Sequence, residues 1–125
     1  MNANYTNNAN VGKIIYPELS YKINGLCFDV HNSLGRFAKE KQYSNALEQA
    51  LIVSGIKYSR EFNLGDTGNR VDFVIDDKII LELKATNLVL KEYYYQIQRY
   101  LHILDLKLAL LVNFRNRFLK PIRII

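Results

Sequence analysis

The sequence predicts an α/β fold in which a mixed sheet of four to five strands is flanked by helices, in the order ααβββαββ. In three stretches apolar residues recur at three- and four-residue steps, which is the spacing of an amphipathic helix. Between the second and third stretches lie short apolar runs separated by turns rich in Gly, Asp and Asn, which indicates strands. A continuous apolar run after the third helix is typical of a buried strand.

Three helices are expected. The first ends near Gly35, with Pro17 in its first turn or just before it. The second runs from about Glu40 to Ser54 and stops at Gly55, and the third spans residues 90–104. The apolar positions that predict the first helix are Leu19, Ile23, Leu26, Val30 and Leu34.

Four or five strands complete the pattern. Asp76 and Asp77 are expected to form a tight hairpin turn between the second and third of them. The last strand is an edge strand, because Pro121 cannot donate a hydrogen bond to a ladder. The strands are predicted at residues 58–64, 70–75, 78–85, 107–114 and 118–125.

Length and composition are those of one globular domain. The chain has 125 residues, of which 49% are hydrophobic, so it can bury a core of its own. The domain is expected at residues 18–125, after a flexible Asn-rich leader at residues 1–17. Because the leader lacks the pattern of a secretory signal and no stretch is long enough to span a membrane, a cytoplasmic protein is expected. The single cysteine, Cys27, fits a reducing compartment.

The charge favours an anionic partner, with nucleic acid the obvious candidate. The formal net charge is +5, and no acid follows Asp105 in the chain. The alternative is an ordinary solvated surface, and composition alone does not separate the two. The basic residues of the tail are Lys107, Arg115, Arg117, Lys120 and Arg123.

The pattern that indicates chemistry is a pair of charges in an apolar strand. Glu82 and Lys84 alternate with Leu81 and Leu83, so both point to one face of the strand. Burying them costs several kcal/mol unless each finds a partner or a cation. With Asp72 in the preceding strand, two carboxylates can bind Mg²⁺ or Mn²⁺ together with waters and phosphate oxygens. Lys84 could then orient or help deprotonate an attacking water and balance the phosphate charge. The alternative is an ordinary Glu–Lys pair on an exposed strand face.

These residues belong to a longer set of motifs by which the chain resembles the GxxExxY proteins, a family assigned to the PD-(D/E)xK nuclease superfamily. Three positions depart from the pattern: Phe37 replaces the motif's glycine, Val71 replaces the proline of "PD", and the turn at residues 65–69 is short. The resemblance implies a restriction-endonuclease-like core. The matching segments are Asp29–Gly35, Glu40–Tyr43, Val71–Val74, Leu81–Ala85, Gln96 with Tyr100, and Leu111–Phe114.

The resemblance also implies further site residues. Glu40 would approach the metal from an early helix, although an acid at a helix N-terminus is also favoured by the helix dipole. Gln96 and Tyr100, one helical turn apart, look like a motif of the RecB-type nuclease branch that contacts the site or the DNA backbone; the alternative is a polar helix rim. His31 is either a metal or phosphate contact or a helix-end cap.

The adjacent tyrosines of the third helix could stack on unpaired bases. The alternative interpretation places Tyr94 in the core, with Tyr93 and Tyr95 on the amphipathic surface of the helix.

The sequence is compatible with three functions. The first is a Mg²⁺-dependent nuclease that hydrolyses phosphodiester bonds of DNA through Asp72, Glu82 and Lys84. The second is a nucleic-acid-binding module that keeps the fold without turnover. The third is an assembly subunit, a homodimer or the partner of another protein, whose apolar C-terminal strand pairs edge to edge.

Overall fold

The structure is a computed structural model that describes residues 15–125. Most of the expected leader at residues 1–17 therefore lies outside the described residues, although the first helix already begins at Pro17. The predicted order ααβββαββ is confirmed. The elements are α1 (Pro17–Leu34), α2 (Glu40–Val53), β1 (Tyr58–Asn63), β2 (Arg70–Ile75), β3 (Ile79–Lys84), α3 (Lys91–Leu104), β4 (Leu108–Asn113) and β5 (Ile122–Ile124).

The strands form one mixed sheet in the order β1-β2-β3-β4-β5. The first three strands pair antiparallel as a meander, because short turns can join antiparallel neighbours. The pair β3–β4 is parallel, so the chain needs α3 as a crossover between them, and β5 returns antiparallel to β4. The charged strand β3 is thus central, as its apolar sequence predicts, and the architecture is that of a restriction-endonuclease-like fold.

Helices cover both faces of the sheet. The two-residue period of a strand sends Leu81 and Leu83 into the core beneath α1 and α2, and Ile80 into the core beneath α3. On β4, Leu111 packs on the α3 side as well. Because Glu82 shares the parity of Ile80, its carboxylate lies on the α3 face, in an otherwise apolar layer.

The segment that connects α1 to α2 contacts the end of β4. Gly35 has φ 75°, a left-handed value that favours glycine. The Tyr43 hydroxyl donates a hydrogen bond to the Gly35 carbonyl oxygen, and the Tyr43 ring stacks on Phe114 with centroids 4.2 Å apart. These contacts hold the N-terminus of α2, and with it Glu40, at the edge of the sheet where β3 and β4 end.

The last strand is shorter than predicted. It covers Ile122–Ile124 rather than residues 118–125, because turns follow β4 and Pro121 has no N–H to extend the ladder. Arg123 binds the start of α1: its guanidinium donates to Ser20 Oγ and to the Ile15 carbonyl oxygen, each at 2.7 Å. This member of the basic tail is therefore a structural contact between β5 and α1.

None of the helices between residues 15 and 125 combines the length and the apolar character that crossing a membrane requires.

Candidate active site

Asp72 lies where the ladders on both sides of β2 are interrupted. Pairing between β2 and β3 starts only at Phe73, opposite Leu81. On the other side, the β1–β2 register includes Arg60 and Phe62 but omits Glu61, whose φ of 52° is rare for a residue other than glycine. The backbone at Asp72 is therefore released from regular sheet pairing and is available to other partners.

The side chains of Asp72 and Glu82 take the place of the missing ladder bonds. The Asp72 N–H donates to Glu82 Oε1, and the Leu83 N–H donates to Asp72 Oδ2, both at 2.7 Å. Such charge-assisted bonds fix the direction of each carboxylate. Within residues 15–125 the second oxygen of each carboxylate has no hydrogen-bonding partner. One oxygen of each group thus remains available for a ligand.

Burial disfavours the ionised forms of these two carboxyl groups. Burial, and then the charge of Asp72, raises the pKa of Glu82 to about 8, against an ordinary value of 4.5. Burial also raises the pKa of Asp72, although the Leu83 N–H and the positive charges of Lys84 and Arg60 pull it down. Without a cation the pair holds a proton close to neutral pH, because two buried carboxylates side by side do not both ionise readily.

Lys84 follows Glu82 on the same face of β3. Its ammonium lowers the pKa of both carboxylates, and its Nζ lies 4.5 Å from the centroid of the Tyr93 ring. A cation over an aromatic face is stabilised by the ring quadrupole. Tyr93, which the sequence places on the amphipathic surface of α3, is half-buried: its ring packs on the α3-side core and supports Lys84.

Asn113 is a residue that the sequence analysis did not single out as a site residue. It pairs in register with Lys84 and is only 2% exposed. Its side-chain amide donates to the Thr86 carbonyl oxygen, and its Oδ1 accepts from the N–H groups of Thr86 and Arg115. One side chain thus ties the chain leaving β3 to the chain leaving β4. In the sequence, the feature that could have identified Asn113 is its position as a polar residue at the end of an otherwise apolar strand.

Gln96 and Tyr100 reach the site from α3. Tyr100 is 3% exposed, and its pKa is raised by burial and then by the charge of Glu82. Gln96 lies one helical turn before Tyr100 and lowers the pKa of its phenol. Buried Tyr100 and half-buried Gln96 therefore form a polar wall beside Glu82, whereas Tyr95, on the outer side of α3, is 64% exposed.

Glu40 approaches from the other face of the sheet. It is the first residue of α2, and its negative charge raises the pKa of both Asp72 and Glu82. Beside it a groove of about 590 Å³ runs between α2 and the β1–β2 hairpin and reaches Asp72. Three basic residues contribute to this groove: Lys41, Arg60 and Arg70.

His31 makes other contacts. Its Nε2 is 2.9 Å from the Asn116 carbonyl oxygen, and its ring packs near Phe114. The histidine thus joins α1 to the turn after β4, and its role as a metal ligand stays a prediction.

Cys27 is buried in the core beneath α1, and burial raises its pKa to about 12, so its thiol is not a ready nucleophile.

The donor set fits a hard divalent cation. No group of three or more His, Cys, Asp and Glu side chains in residues 15–125 is arranged to hold a metal ion. The available donors are therefore the two carboxylates, Asp72 and Glu82. Mg²⁺ is commonly bound through one or two carboxylates, its other ligands being waters and substrate phosphates.

Comparison with known proteins gives a family but no individual relative. The family model described as the PD-(D/E)XK nuclease superfamily matches residues 17–124, which is nearly the whole described chain. Searches among curated proteins and among solved structures return no match. The match spans the two carboxylates, Lys84 and all of the elements that carry them.

Proposed function

Since the chain belongs to the PD-(D/E)XK nuclease superfamily, we propose that it is a divalent-metal-dependent nuclease that hydrolyses phosphodiester bonds of DNA. The observation that carries the proposal is the Asp72–Glu82 pair: a half-buried and a buried carboxylate, each with one oxygen held by a backbone N–H. Nucleases of this superfamily generally use divalent metals. We assign the chain a single nuclease-like domain at residues 18–125, and within the superfamily the GxxExxY family and the RecB-like branch.

Asp72 and Glu82 are the residues that would hold Mg²⁺ or Mn²⁺. When bound, the cation supplies Lewis-acid stabilisation of the charge that develops on the phosphate. Lys84 lies on the same face of β3 as Glu82, with its ammonium over the Tyr93 ring. From there it would orient the attacking water and balance charge on the scissile phosphate. Water adds to phosphorus as the bond to the leaving oxygen breaks, and that oxygen takes up a proton.

The remaining predicted residues shape the pocket. Gln96 and Tyr100 present amide and phenol groups on the α3 side, where they contact the substrate or the site. Glu40 adds a negative charge at the mouth, which favours a cation there. The groove is lined by Glu40, Glu61 and Asp72 as well as by Lys41, Arg60 and Arg70. Arg60 and Arg70 are paired with Glu48 and Glu61, so Lys41 is the basic residue of this set that we assign to the phosphate backbone. A cytoplasmic location and a homodimer or protein partner stay predictions.

The test is a cleavage assay with single- and double-stranded DNA and RNA in Mg²⁺, in Mn²⁺ and in EDTA. We expect metal-dependent cleavage that falls by at least about 100-fold in Asp72→Asn, Glu82→Gln and Lys84→Ala, because these groups act on the reacting phosphate. Asp77→Asn is the matched control: it removes an exposed carboxylate from the same hairpin and leaves the rate unchanged.

Two features favour a second candidate, a nucleic-acid-binding module without turnover: Phe37 in the position of the motif's glycine, and the short turn at residues 65–69. Binding that survives Asp72→Ala without metal-dependent cleavage would support this module. Cleavage that disappears in Lys84→Ala would exclude it. A wild-type protein that binds metal but degrades no nucleic acid would refute the nuclease proposal.

A further inference from the structure

Arg36, Phe37 and Arg115 form an exposed cluster that the proposed chemistry does not use. The Phe37 side chain is among the most exposed apolar groups described, at 74% of its surface. Two guanidinium carbons lie over its ring, that of Arg36 at 4.8 Å and that of Arg115 at 5.6 Å from the centroid. A ring with this exposure keeps much of its aromatic surface accessible, so it can contact a flat ligand.

The two arginines are held in place by the backbone. Arg36 Nε donates to the Arg115 carbonyl oxygen at 2.8 Å, and Arg115 Nε donates to the Arg36 carbonyl oxygen at 3.1 Å. This reciprocal pair joins segments 79 residues apart in the chain. A cluster already ordered in this way loses little further conformational entropy when a ligand binds.

The charge of the cluster is uncompensated by acids. Neither Arg36 nor Arg115 takes part in any of the ion pairs found within residues 15–125. Two neighbouring guanidinium groups repel each other unless an anion lies between or beside them. Guanidinium groups match phosphate oxygens in geometry as well as in charge, so a phosphate ester is the anion that the cluster suits.

The cluster adjoins the candidate active site. Arg115 is joined to it through Asn113, which binds the Arg115 N–H and pairs in register with Lys84. On the other side, Phe37 precedes Glu40 by three residues, in the segment that leads into α2. A nucleic-acid strand bound at the carboxylates would therefore pass close to the cluster.

We propose that this cluster binds an unpaired segment of the nucleic-acid substrate, with one base stacked on Phe37 and the adjoining phosphates held by Arg36 and Arg115. The inference rests on the proposed function, whose substrate class it narrows. Bases inside a duplex are already stacked on both faces, so within a strand only an unpaired base presents its face to a protein ring. Phe37 replaces the glycine of the GxxExxY motif, so this exposed aromatic ring is a property of this chain.

The test is equilibrium binding in EDTA, which prevents metal-dependent cleavage and separates this inference from the nuclease proposal. The probes are a fluorescent single strand of about 15 nucleotides, within the site size of small single-strand-binding domains, and a blunt duplex of the same sequence. We expect Phe37→Ala to weaken single-strand binding about tenfold, as the loss of one base–aromatic stack does, and to change duplex binding less than about twofold.

Two further variants complete the design. Phe37→Trp keeps an aromatic face and should retain single-strand affinity. Phe28→Ala removes another exposed phenylalanine, one on α1, and should leave binding unchanged. The inference is overturned if the wild type does not bind the single strand, if Phe37→Ala has no effect, or if single-strand and duplex affinities fall equally. If Phe37→Ala selectively weakens single-strand binding but the wild type cleaves no nucleic acid, this inference is retained and the nuclease proposal is refuted.

Discussion

The two ends of the β2–β3 hairpin carry similar charges in opposite environments. At the closed end, Asp76 and Asp77 form the turn and pair with lysines, and their side chains are 43% and 69% exposed. At the open end, Glu82 is buried and Asp72 is half-buried, and each carboxylate accepts a hydrogen bond from a backbone N–H of the other strand. Both ends contain two acids, but only at the open end is an acid fully buried and its neighbour half-buried.

The difference in burial between the two ends shows which acids have a position that stability alone does not explain. Exposed ion pairs contribute little to stability, so the closed end is explained by solubility and turn geometry. Burial of Glu82 raises its pKa to about 8, which means that its ionised form is destabilised where it lies. The open end is thus kept at a cost in stability that the closed end does not bear, and a bound cation would offset that cost.

The largest expected effect is on catalysis, and it compares the lysines at the two ends of the hairpin. Lys84→Ala should lower the cleavage rate by about 10²- to 10⁴-fold, because it removes a positioned proton-transfer and charge-balancing group. Lys78→Ala removes a lysine paired with Asp76 at 3.0 Å and should leave the rate within about twofold, since exposed pairs contribute little. Initial rates at saturating metal measure both.

The metal affinity of each lysine variant provides the control, because loss of the cation would mimic loss of the catalytic group. Equal rates in Lys84→Ala and Lys78→Ala would contradict the assignment of Lys84 to the site.

A smaller effect is expected on stability, in metal-free protein, from Glu82→Gln. The pKa of Glu82 is about 8 in the folded chain and close to its ordinary 4.5 when unfolded. Its contribution is therefore fully present below about pH 4.5 and is lost as the pH rises through 8. Because glutamine does not titrate, the variant should become more stable than the wild type over this range, by a few kcal/mol at most, since one pKa unit is about 1.4 kcal/mol.

Chemical denaturation in EDTA at several pH values measures this difference, with Asp77→Asn as the exposed control. Adding Mg²⁺ at alkaline pH should stabilise the wild type and not Glu82→Gln, because a ligand that binds only the folded state raises its stability. A gap between wild type and variant that stays constant with pH would contradict the raised pKa.

The smallest expected effect is at the turn itself. Asp76 and Asp77 have φ values of 53° and 55°, the left-handed pair that a two-residue hairpin turn requires. Replacing them by Asn and Gly, the residues that this turn prefers, should raise the melting temperature by a few degrees and leave cleavage unchanged. Asp76→Asn alone separates the two positions. A lowered melting temperature would show that the lysine pairs outweigh backbone strain.

Much of the architecture was predictable from local pattern. Alternation along β3 put Glu82 and Lys84 on one face, and the apolar neighbours of the strand put it at the centre of the sheet, as found. The start of the last strand was less predictable: Pro121 marked an edge, but the turns that shorten β5 depend on contacts of the chain after β4. The contact between Tyr93 and Lys84 was not predictable, because helical periodicity does not reveal which side chain of another element lies over a ring.

By itself, the sequence determined the order of the elements, the central position of β3 and the shared face of Glu82 and Lys84. These follow from side-chain periodicity and apolar content, which are local properties of the chain. Only the tertiary structure decided that Glu82 accepts from the Asp72 N–H and Asp72 from the Leu83 N–H. It likewise decided that Asn113 ties two strand ends together and that Arg36 meets Arg115. Such contacts join distant segments, so their geometry depends on how the whole sheet and its helices pack.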